Sequence, residues 1–551
     1  MYNYTDMKRI LSTISIFACG LLLLGCTDFL DVKKYHEAKT WETEDDITKA
    51  IAALYSFTSN NSEGVTGRGI AWFECCSDNV TVGRPQAEAE QIRNFQMSPS
   101  NGRDVKTTWK EMYETNAKAN NLIKVVPTMS QLSPAFKTKA TGIAYFFRGL
   151  AMLWIAPYYG DGGINGGIPI ILDTTEPAAM DSPRPASVVM NYEQIIKDMR
   201  EAGERLPLFS ELPAEQYGYP HKAAAWAFAA RAALYAAQYD ASYYDVVIEM
   251  CDKVMALSGK DKRELFDDGT PDAFANLWRK EQNFGSEYLF SLLGSSVDGP
   301  KYHGMLFQNG GWKLLKTRGY FQPTLGLWEA FESGDIRRDA TILYPGQHVK
   351  FVGQDVIFGG YGLKNGSSFN YDISSDTGLT CRKFLSPWEG ADCIGKEVNS
   401  NGDNASNTLG TCLIRFADVL LMKAEALIWK NGEGDAEAKA LLNRIRKRAR
   451  LPENSPATKA ELKNQRRCEL AFEFMPARHL DMVRWGDAKT EYAKPTRRAN
   501  SHWDAATQTV VIDAPSNYDN GRTFNPEINQ VFPIPVTAFN GSVNLVQNKG
   551  Y

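Results

Sequence analysis

The sequence predicts a mainly α-helical protein in which a tetratricopeptide-like helical scaffold is interrupted by one large, loop-rich insertion. Apolar residues recur at the helical spacing in residues 143–154 and 416–428. Residues 223–257 have the pattern of two helices joined by a short turn. Residues 262–410 lose this periodicity and carry glycine pairs, asparagines and scattered aromatic side chains. Helices on both sides of an irregular stretch therefore define the fold class.

The scaffold is predicted from the positions of apolar residues. Where they lie three and four residues apart, they form one face of a helix, and that face packs against neighbouring helices. The predicted helices are 44–58, 105–126, 134–156, 187–205, 223–238, 243–257, 416–428, 434–449, 457–474 and 476–486.

The helix predicted over 223–238 is rich in alanine, with Trp226 and Ala230 on one face. Small side chains let a neighbouring helix approach closely. A turn at 239–242 leads into the helix 243–257, so the two helices form a unit of the tetratricopeptide kind. A clean repeat of about 34 residues, the length of that motif, does not extend along the chain.

The mature chain, 26–551, is predicted to be a single domain. Its scaffold covers about 40–261 and 411–487, the insertion covers about 262–410, and 488–551 form an irregular C-terminal segment. An irregular stretch as long as the insertion is uncommon inside a compact protein and is usually functional. We therefore expect the insertion to carry the functional surface.

The N-terminus has the order of segments of a bacterial lipoprotein signal. A basic pair at 8–9 precedes an apolar run that ends at Cys26. The run is short for a transmembrane helix and is interrupted by serine and threonine. We expect 1–25 to be a signal peptide and the thiol of Cys26 to carry the lipid anchor, with translation starting at Met1 or at Met7. A buried N-terminal helix that ends by chance in Gly-Cys is the alternative.

The composition is that of an ordinary globular protein, with 551 residues, 43% hydrophobic and 23% charged, and a net charge of −4. A nearly balanced, slightly acidic chain lacks the basic surface that binds nucleic acid, so no nucleic-acid partner is expected. No later segment approaches the roughly 18 uninterrupted apolar residues of a spanning helix, so the lipid is the expected membrane attachment.

The nine cysteines indicate neither a disulfide framework nor a metal site. Setting aside Cys19 in the signal and the lipidated Cys26 leaves an odd number, and C-x-x-C or Cys/His ligand spacings are missing. Cys381 and Cys393 flank a loop, and whether they pair stays open. No metal and no cofactor are expected.

The sequence predicts no catalytic residue and no enzyme. The G-x-S-x-G motif of serine hydrolases is missing, and the six histidines are scattered. Charges alternate in sign between Arg466 and Arg484, close to Phe472 and Trp485. We interpret them as an ion-pair network that locks two helices together. Residues 399–404 carry a single carboxylate, which is too few for a calcium loop.

Short motifs follow one another in order along nearly the whole mature chain. The strongest block is C-terminal, at 415–426, 442–446, 466–473 and 481–486. The others are Cys26-Thr27-Asp28-Phe29-Leu30-Asp31, Asp45-Asp46-Ile47, Ser77-Asp78-Asn79, Pro157-Tyr158-Tyr159-Gly160, Phe532-Pro533-Ile534-Pro535 and Gln547-Asn548-Lys549-Gly550-Tyr551. In these motifs the chain resembles the SusD/RagB family, the outer-membrane nutrient-binding lipoproteins of Bacteroidetes.

The resemblance implies a SusD-like fold and a lipoprotein of the cell outer membrane that faces the cell exterior. It implies that the protein binds oligosaccharides and delivers them to a partner, a SusC-like TonB-dependent transporter. Some relatives capture peptides, so peptide capture on the same architecture is the alternative. An envelope glycoside hydrolase whose motifs are not visible is a third hypothesis.

Aromatic side chains of the insertion are the candidates for sugar binding. An aromatic ring stacks on the apolar face of a sugar, while amides and charged groups bind its hydroxyls. The aromatic candidates are Tyr302, Trp312, Tyr320 and Tyr361. By position in relatives, the resemblance adds Arg84 and Gln86, as a region rather than residue by residue. The alternative for each aromatic residue is that it packs a loop onto the core.

Overall fold

The computed structural model describes residues 41–59, 73–83, 86–100, 102–173, 181–293, 321–351, 354–359, 375–384, 410–473 and 478–551. The helices in these residues are α1 Glu44–Leu54, α2 Ala87–Arg93, α3 Arg103–Val125, α4 Pro134–Tyr159, α5 Val188–Arg205, α6 Lys222–Ala236, α7 Tyr243–Met255, α8 Ala273–Asn276, α9 Leu325–Trp328, α10 Ile336–Thr341, α11 Phe416–Asn431, α12 Ala436–Arg448, α13 Lys459–Glu469, α14 Arg478–Arg484 and α15 Ala488–Tyr492. The strands are β1 Val80–Val82, β2 Tyr288–Leu292, β3 Phe321–Pro323, β4 Ile342–Leu343, β5 His348–Phe351, β6 Gln354–Ile357, β7 Thr380–Cys381, β8 Thr411–Arg415, β9 Arg497–Asp504 and β10 Thr509–Asn517. The predicted mainly α class is confirmed.

Successive helices pack side by side to form the scaffold. α4 lies between α3 and α5, α5 packs against α6, and α6 packs against α7. α7 then packs against α11, and α11 packs against α12 and α13. The chain therefore leaves the scaffold after α7 and returns at α11, beside the helix that it left.

Small residues bring α4, α5 and α6 close together. A Cβ on Gly149 of α4 would lie 3.0 Å from the side chain of Met199 in α5. A Cβ on Gly203 of α5 would lie 2.5 Å from the indole nitrogen of Trp226 in α6. The alanines of α6 are buried. The close helix contacts expected of an alanine-rich helix are thus present.

The helices begin and end within a few residues of their predicted positions. Side-chain oxygens of Thr43 and Ser133 accept hydrogen bonds from backbone N–H groups in the first turns of α1 and α4. The helix predicted over 44–58 ends at Leu54 and continues as a 3-10 turn at Ser56–Ser59.

In the described residues the strands pair as antiparallel two-stranded ribbons: β1 with β3, β2 with β8, β4 with β7, β5 with β6, and β9 with β10. The pairing of β2 with β8 sets Leu292 opposite Thr411. This pairing joins the two ends of the insertion at the scaffold. The pairing of β1 with β3 sets Val82 opposite Phe321, so the insertion also contacts the N-terminal part of the chain.

The C-terminal segment is more regular than expected. Residues 488–551, predicted to be irregular, contain α15 and the hairpin β9–β10. Hairpin loops are usually marked by glycine or asparagine, but here Gln508 takes the left-handed conformation, with φ 55°. Most strand residues are exposed or half-buried, so the apolar alternation that predicts a strand is weak.

One cluster of buried apolar side chains extends through the described residues from Ile47 in α1 to Ile534 near the C-terminus. Buried charges tie the insertion to this core. They are Glu287, Arg337, Lys383, Arg415, Arg448, Glu469 and Glu473. Arg415 lies at the centre and donates hydrogen bonds to all three glutamates. Glu469 also accepts from two further arginines, one of the insertion and one of α12.

A second buried network joins α11, α13 and α14. Arg466 donates to Asp418 and Asp481 over 3.1 and 3.0 Å. Arg484 donates to Glu425 and Asp481. The interpretation of these charges as a lock between helices is confirmed, and they are not free for catalysis.

The cysteines that the structure describes are buried free thiols: Cys75, Cys76, Cys251, Cys381, Cys412 and Cys468. Cys393, the suggested partner of Cys381, lies outside the described residues, as does Cys26. Within those residues, no helix has both the length and the apolar character needed to cross a membrane.

Candidate functional site

The β1–β3 ribbon brings two of the predicted ligand-binding segments together. Val82 ends β1 two residues before Arg84, and it pairs with Phe321, which follows Tyr320 in the chain. All residues of both strands are buried, so the ribbon is a fixed support. The early segment with Arg84 and the insertion segment 300–322 therefore adjoin the same end of one ribbon.

At this end of the ribbon, the backbone of Gly83 lies directly against the side chain of Gln322. A Cβ on Gly83 would overlap the side-chain amide of Gln322, so the backbone of β1 approaches this side chain closely. The side-chain oxygen of Gln322 accepts a hydrogen bond of 2.7 Å from the backbone N–H of Asp376. Gln322 thus joins the ribbon to the segment 375–384 of the insertion.

Strand β9 contacts this segment and one further insertion segment. The backbone N–H of Ala499 donates to the carbonyl of Thr377 over 2.9 Å. The hydroxyl of Ser501, two residues along the strand, donates to the carbonyl of Gly359 over 2.8 Å. Tyr361 follows Gly359 by two residues. The segments next to Arg84, Tyr320 and Tyr361 are therefore anchored by β1, β3 and β9.

Helix α2 is fixed to the same region through its last residue. Arg93 donates to Asp519 and to the hydroxyl of Thr496, and its guanidinium lies 5.4 Å from the ring centre of Tyr518. The hydroxyl of Tyr518 donates to the carbonyl of Val82 over 3.3 Å. These contacts connect α2 to β1.

Of the predicted ligand-binding residues, the structure describes Gln86. It precedes α2 as the N-cap residue, its side chain makes no capping hydrogen bond, and it is half-buried. An amide that does not cap the helix is available for a ligand hydroxyl. The other candidates lie outside the described residues: Arg84, Tyr302, Trp312, Tyr320 and Tyr361.

Sequence reasoning missed Asp376 and Tyr518, which lie at this end of the ribbon. Burial raises the pKa of the Asp376 carboxyl, although Arg498 opposes the shift. Burial likewise raises the pKa of the Tyr518 hydroxyl. Both residues come from segments without periodicity, and only the pairing of distant strands brings them here.

The described part of the chain gives no support to metal chemistry at this end. No group of three or more histidine, cysteine, aspartate or glutamate side chains there is arranged to hold a metal ion. A support made of buried strands and half-buried amide, hydroxyl and carboxyl groups is suited to hydrogen-bonding a polar ligand.

Two family models match this chain. Residues 316–551 match the model described as "SusD family", and residues 28–234 match the model described as "Starch-binding associating with outer membrane". SusD-like protein P38 of Formosa agariphila is 25% identical over 499 residues, which cover 87% of this chain and 91% of that protein.

Solved structures share the fold over nearly the whole chain. A SusD-like protein from Bacteroides fragilis superposes with a TM-score of 0.75 at 22% identity, over 94% of this chain and 99% of that one. Surface glycan-binding protein A from Bacteroides thetaiotaomicron, in complex with laminarihexaose, superposes with a TM-score of 0.69 at 17% identity, over 92% and 99%.

These matches define the class of the protein as a helical scaffold of the SusD-like type. The chain belongs to the SusD/RagB family.

Proposed function

We propose that this protein is a surface-exposed outer-membrane lipoprotein that binds oligosaccharides and delivers them to a SusC-like TonB-dependent transporter. The observation that carries the proposal is the laminarihexaose complex of a protein whose fold matches 92% of this chain. The family model described as associating with the outer membrane supports the location.

The proposed ligand site is formed by the insertion segments that adjoin the β1–β3 ribbon. Trp312, Tyr302, Tyr320 and Tyr361 supply aromatic surfaces for stacking, and Arg84 and Gln86 supply hydrogen bonds to sugar hydroxyls. Two contacts support this placement. Val82 pairs with Phe321, next to Arg84 and Tyr320, and Ser501 of β9 donates to Gly359, two residues before Tyr361.

The proposed anchor is the lipid on Cys26. Burial of each methylene of an acyl chain contributes about 0.8 kcal/mol, so two or three chains give an essentially permanent attachment. A tethered binding protein raises the local concentration of ligand beside a transporter in the same membrane.

The experiment is a glycan array and a peptide array probed with the same preparation of the mature protein. Laminarihexaose is one of the immobilised probes, together with unrelated oligosaccharides. Glycans that bind are then titrated by calorimetry, and the solution is assayed for new reducing ends.

Saturable glycan binding without new reducing ends is the expected result. Binding to peptides with no binding to glycans would support the alternative of peptide capture and overturn the proposal. New reducing ends would show a glycoside hydrolase.

A further inference from the structure

A cavity of about 380 Å³ lies at the opposite end of the β1–β3 ribbon from the proposed glycan site. It is bounded by the residues just before β1 and just after β3, by α13, and by the segment from α15 into β9. Its charged lining residues are Asp78, Arg467, Glu491, Lys494, Arg497 and Arg522. A space of this size accommodates a small polar molecule or one sugar unit.

Arg467 lines this cavity and keeps one donor unused within the described residues. Its Nε donates to the side chain of Asn79 over 2.8 Å, and its Nη2 lies 3.1 Å from the carboxylate of Asp78. Its Nη1 has no hydrogen-bond partner within the residues that the structure describes. Asp78 also accepts from Arg478 over 3.0 Å, so one carboxylate serves two guanidinium groups.

Arg522 adds a buried cation without a carboxylate partner in the described residues. Its guanidinium donates to the backbone carbonyls of Cys76, Arg93 and Ser77 over 3.0, 2.7 and 2.9 Å. Burial and the neighbouring Arg93 lower the pKa of Arg522 to about 10, so the group stays charged at neutral pH.

Asp519 is the carboxylate whose charge acts on Arg522, and it is already paired with Arg93. Among the described lining residues, four cations face the two carboxylates Asp78 and Glu491, so positive charge is in excess. These cations are Arg467, Lys494, Arg497 and Arg522. A buried excess of one charge is unfavourable unless a counter-ion lies beside it.

Two cations at the rim extend the positive surface. Lys494 pairs with Glu491 over 2.7 Å and Arg497 pairs with Glu329, and their side chains are 61% and 43% exposed. Exposed pairs of this kind are weak, so both cations can turn to a ligand at little cost.

Among the described lining residues, Tyr492 is the one aromatic side chain. It is buried, and the guanidinium of Arg522 lies 4.4 Å from the centre of its ring, so these residues offer a neutral sugar no open stacking surface. The chemistry of the lining thus favours a charged group. Arginine with free N–H donors is the side chain best suited to carboxylate and sulfate.

We propose that this cavity binds an oxyanion, the carboxylate or sulfate of a small molecule or of an acidic sugar. The bound group accepts from Nη1 of Arg467 and lies between the rim cations Lys494 and Arg497. This inference does not rest on the proposed glycan function.

The test is calorimetric titration of the mature protein with sodium sulfate, sodium glucuronate and glucose at constant, low ionic strength. We expect saturable binding of at least one anion and no binding of glucose. If sulfate binds and glucuronate does not, the ligand is a free ion. If glucuronate binds and sulfate does not, the ligand is a carboxylate carried by a sugar. Absence of saturable binding by both anions overturns the proposal.

Variants locate the binding. Arg467→Gln is expected to weaken anion binding at least tenfold, and the double variant Lys494→Gln/Arg497→Gln at least threefold. Lys430→Gln is the matched control, since Lys430 is similarly exposed and pairs with Asp245 in another part of the scaffold. If Arg467→Gln does not fold, the double variant decides the test. Equal affinity in the control and in the cavity variants places the anion elsewhere and contradicts the proposal.

Discussion

Trp312 follows a glycine pair in the insertion, and its indole is the proposed stacking surface for a sugar ring. Trp312→Ala is expected to weaken glycan binding by about 1–3 kcal/mol, the usual range for losing an aromatic contact at a binding site. The free energy of unfolding should change by less than about 1 kcal/mol, because the proposal places the indole against the ligand, and a side chain in that role contributes little to folding. Calorimetry and thermal melts measure the two effects.

Phe284→Ala is the control for this change. Phe284 is an exposed aromatic residue whose ring contacts Tyr217, away from the β1–β3 ribbon in sequence and in its contacts. Its loss should leave glycan affinity unchanged. Unchanged affinity in Trp312→Ala with a large fall in melting temperature would show instead that Trp312 packs a loop onto the core.

Glu74 makes stability depend on pH. One oxygen of its carboxyl accepts from Ser77 over 3.1 Å, and the other is buried without a hydrogen-bond partner in the described residues. Burial raises its pKa from 4.5 to about 8. Between these values the folded protein keeps a proton that the unfolded chain has released, so stability falls as pH rises, by at most about 1.4 kcal/mol per pH unit.

Glu74→Gln removes this dependence. We expect the variant to be more stable than the wild type at pH 8 and to approach it as the pH falls toward 4.5. Urea titrations between pH 6.5 and 8 measure this difference. The buried histidines His221 and His479 have pKa values of about 3, so they destabilise the folded protein only on acidification below this range. Glu527→Gln, at an exposed position, should show the pH profile of the wild type. Parallel profiles for Glu74→Gln and the wild type would contradict the expectation.

At the scale of elements, long amphipathic helices could be predicted because their signal is local. Apolar spacing and N-cap residues such as Ser133 lie within one helix, and α4 and α11 match their predicted positions closely. The hairpin β9–β10 could not be predicted, because its register depends on pairing and its turn uses Gln508 rather than glycine.

The candidate site could be predicted as two regions but not as a set of contacts. Arg84 and the 300–322 segment are far apart in sequence, and only the pairing of Val82 with Phe321 shows that they share a support. Tyr518 and Asp376 were missed for the same reason. Their approach follows from the course of β9 and β10 and leaves no pattern in the sequence.

The Arg415 network connects elements from distant parts of the chain. Burial opposes ionisation of Glu469, but Arg448, Arg415 and Arg337 outweigh it and lower its pKa well below the usual range. Glu469→Gln removes the carboxylate that these three arginines share. Their buried charge is then balanced only in part, by Asp335, Glu287 and Glu473. We expect this change to lower the free energy of unfolding by about 3–5 kcal/mol, measured by urea titration.

Asp45→Asn is the matched control for a carboxylate-to-amide change. Asp45 pairs with Lys49 on the surface of α1, where both side chains are about 70% exposed. Its effect should stay below about 0.5 kcal/mol. Similar effects of the two changes would mean that the buried network contributes no more than a surface pair.

At the scale of the whole molecule, the proposed anchor makes membrane attachment depend on one atom. Cys26→Ala removes the thiol that takes the lipid. The variant is expected to be released from the membrane fraction or to remain unprocessed, as judged by fractionation and mass spectrometry. Cys19→Ala, inside the signal, is the control and should be processed normally. Normal processing and anchoring of Cys26→Ala would exclude lipidation at this residue.

The proposed transporter partner sets a further expectation. With a net charge of −4 over 551 residues, the chain has little net charge for long-range attraction, so a large mixed interface should hold the complex. The protein should co-purify with a barrel of the TonB-dependent class from gentle detergent extracts, and the complex should survive moderate salt. Recovery of the free monomer alone would count against a stable complex.

Residues 293–320 lie between two buried strands, so this segment can change in length and sequence without disturbing the scaffold. β2 ends at Leu292 and β3 begins at Phe321, and both residues are in the core. The entropy of closing a loop between fixed ends grows slowly, by about 0.6 kcal/mol for each doubling of its length. Evolution can therefore lengthen, shorten or replace the segment that carries three of the aromatic candidates while the helices keep their packing. Ligand preference can then diverge between related proteins much faster than their fold.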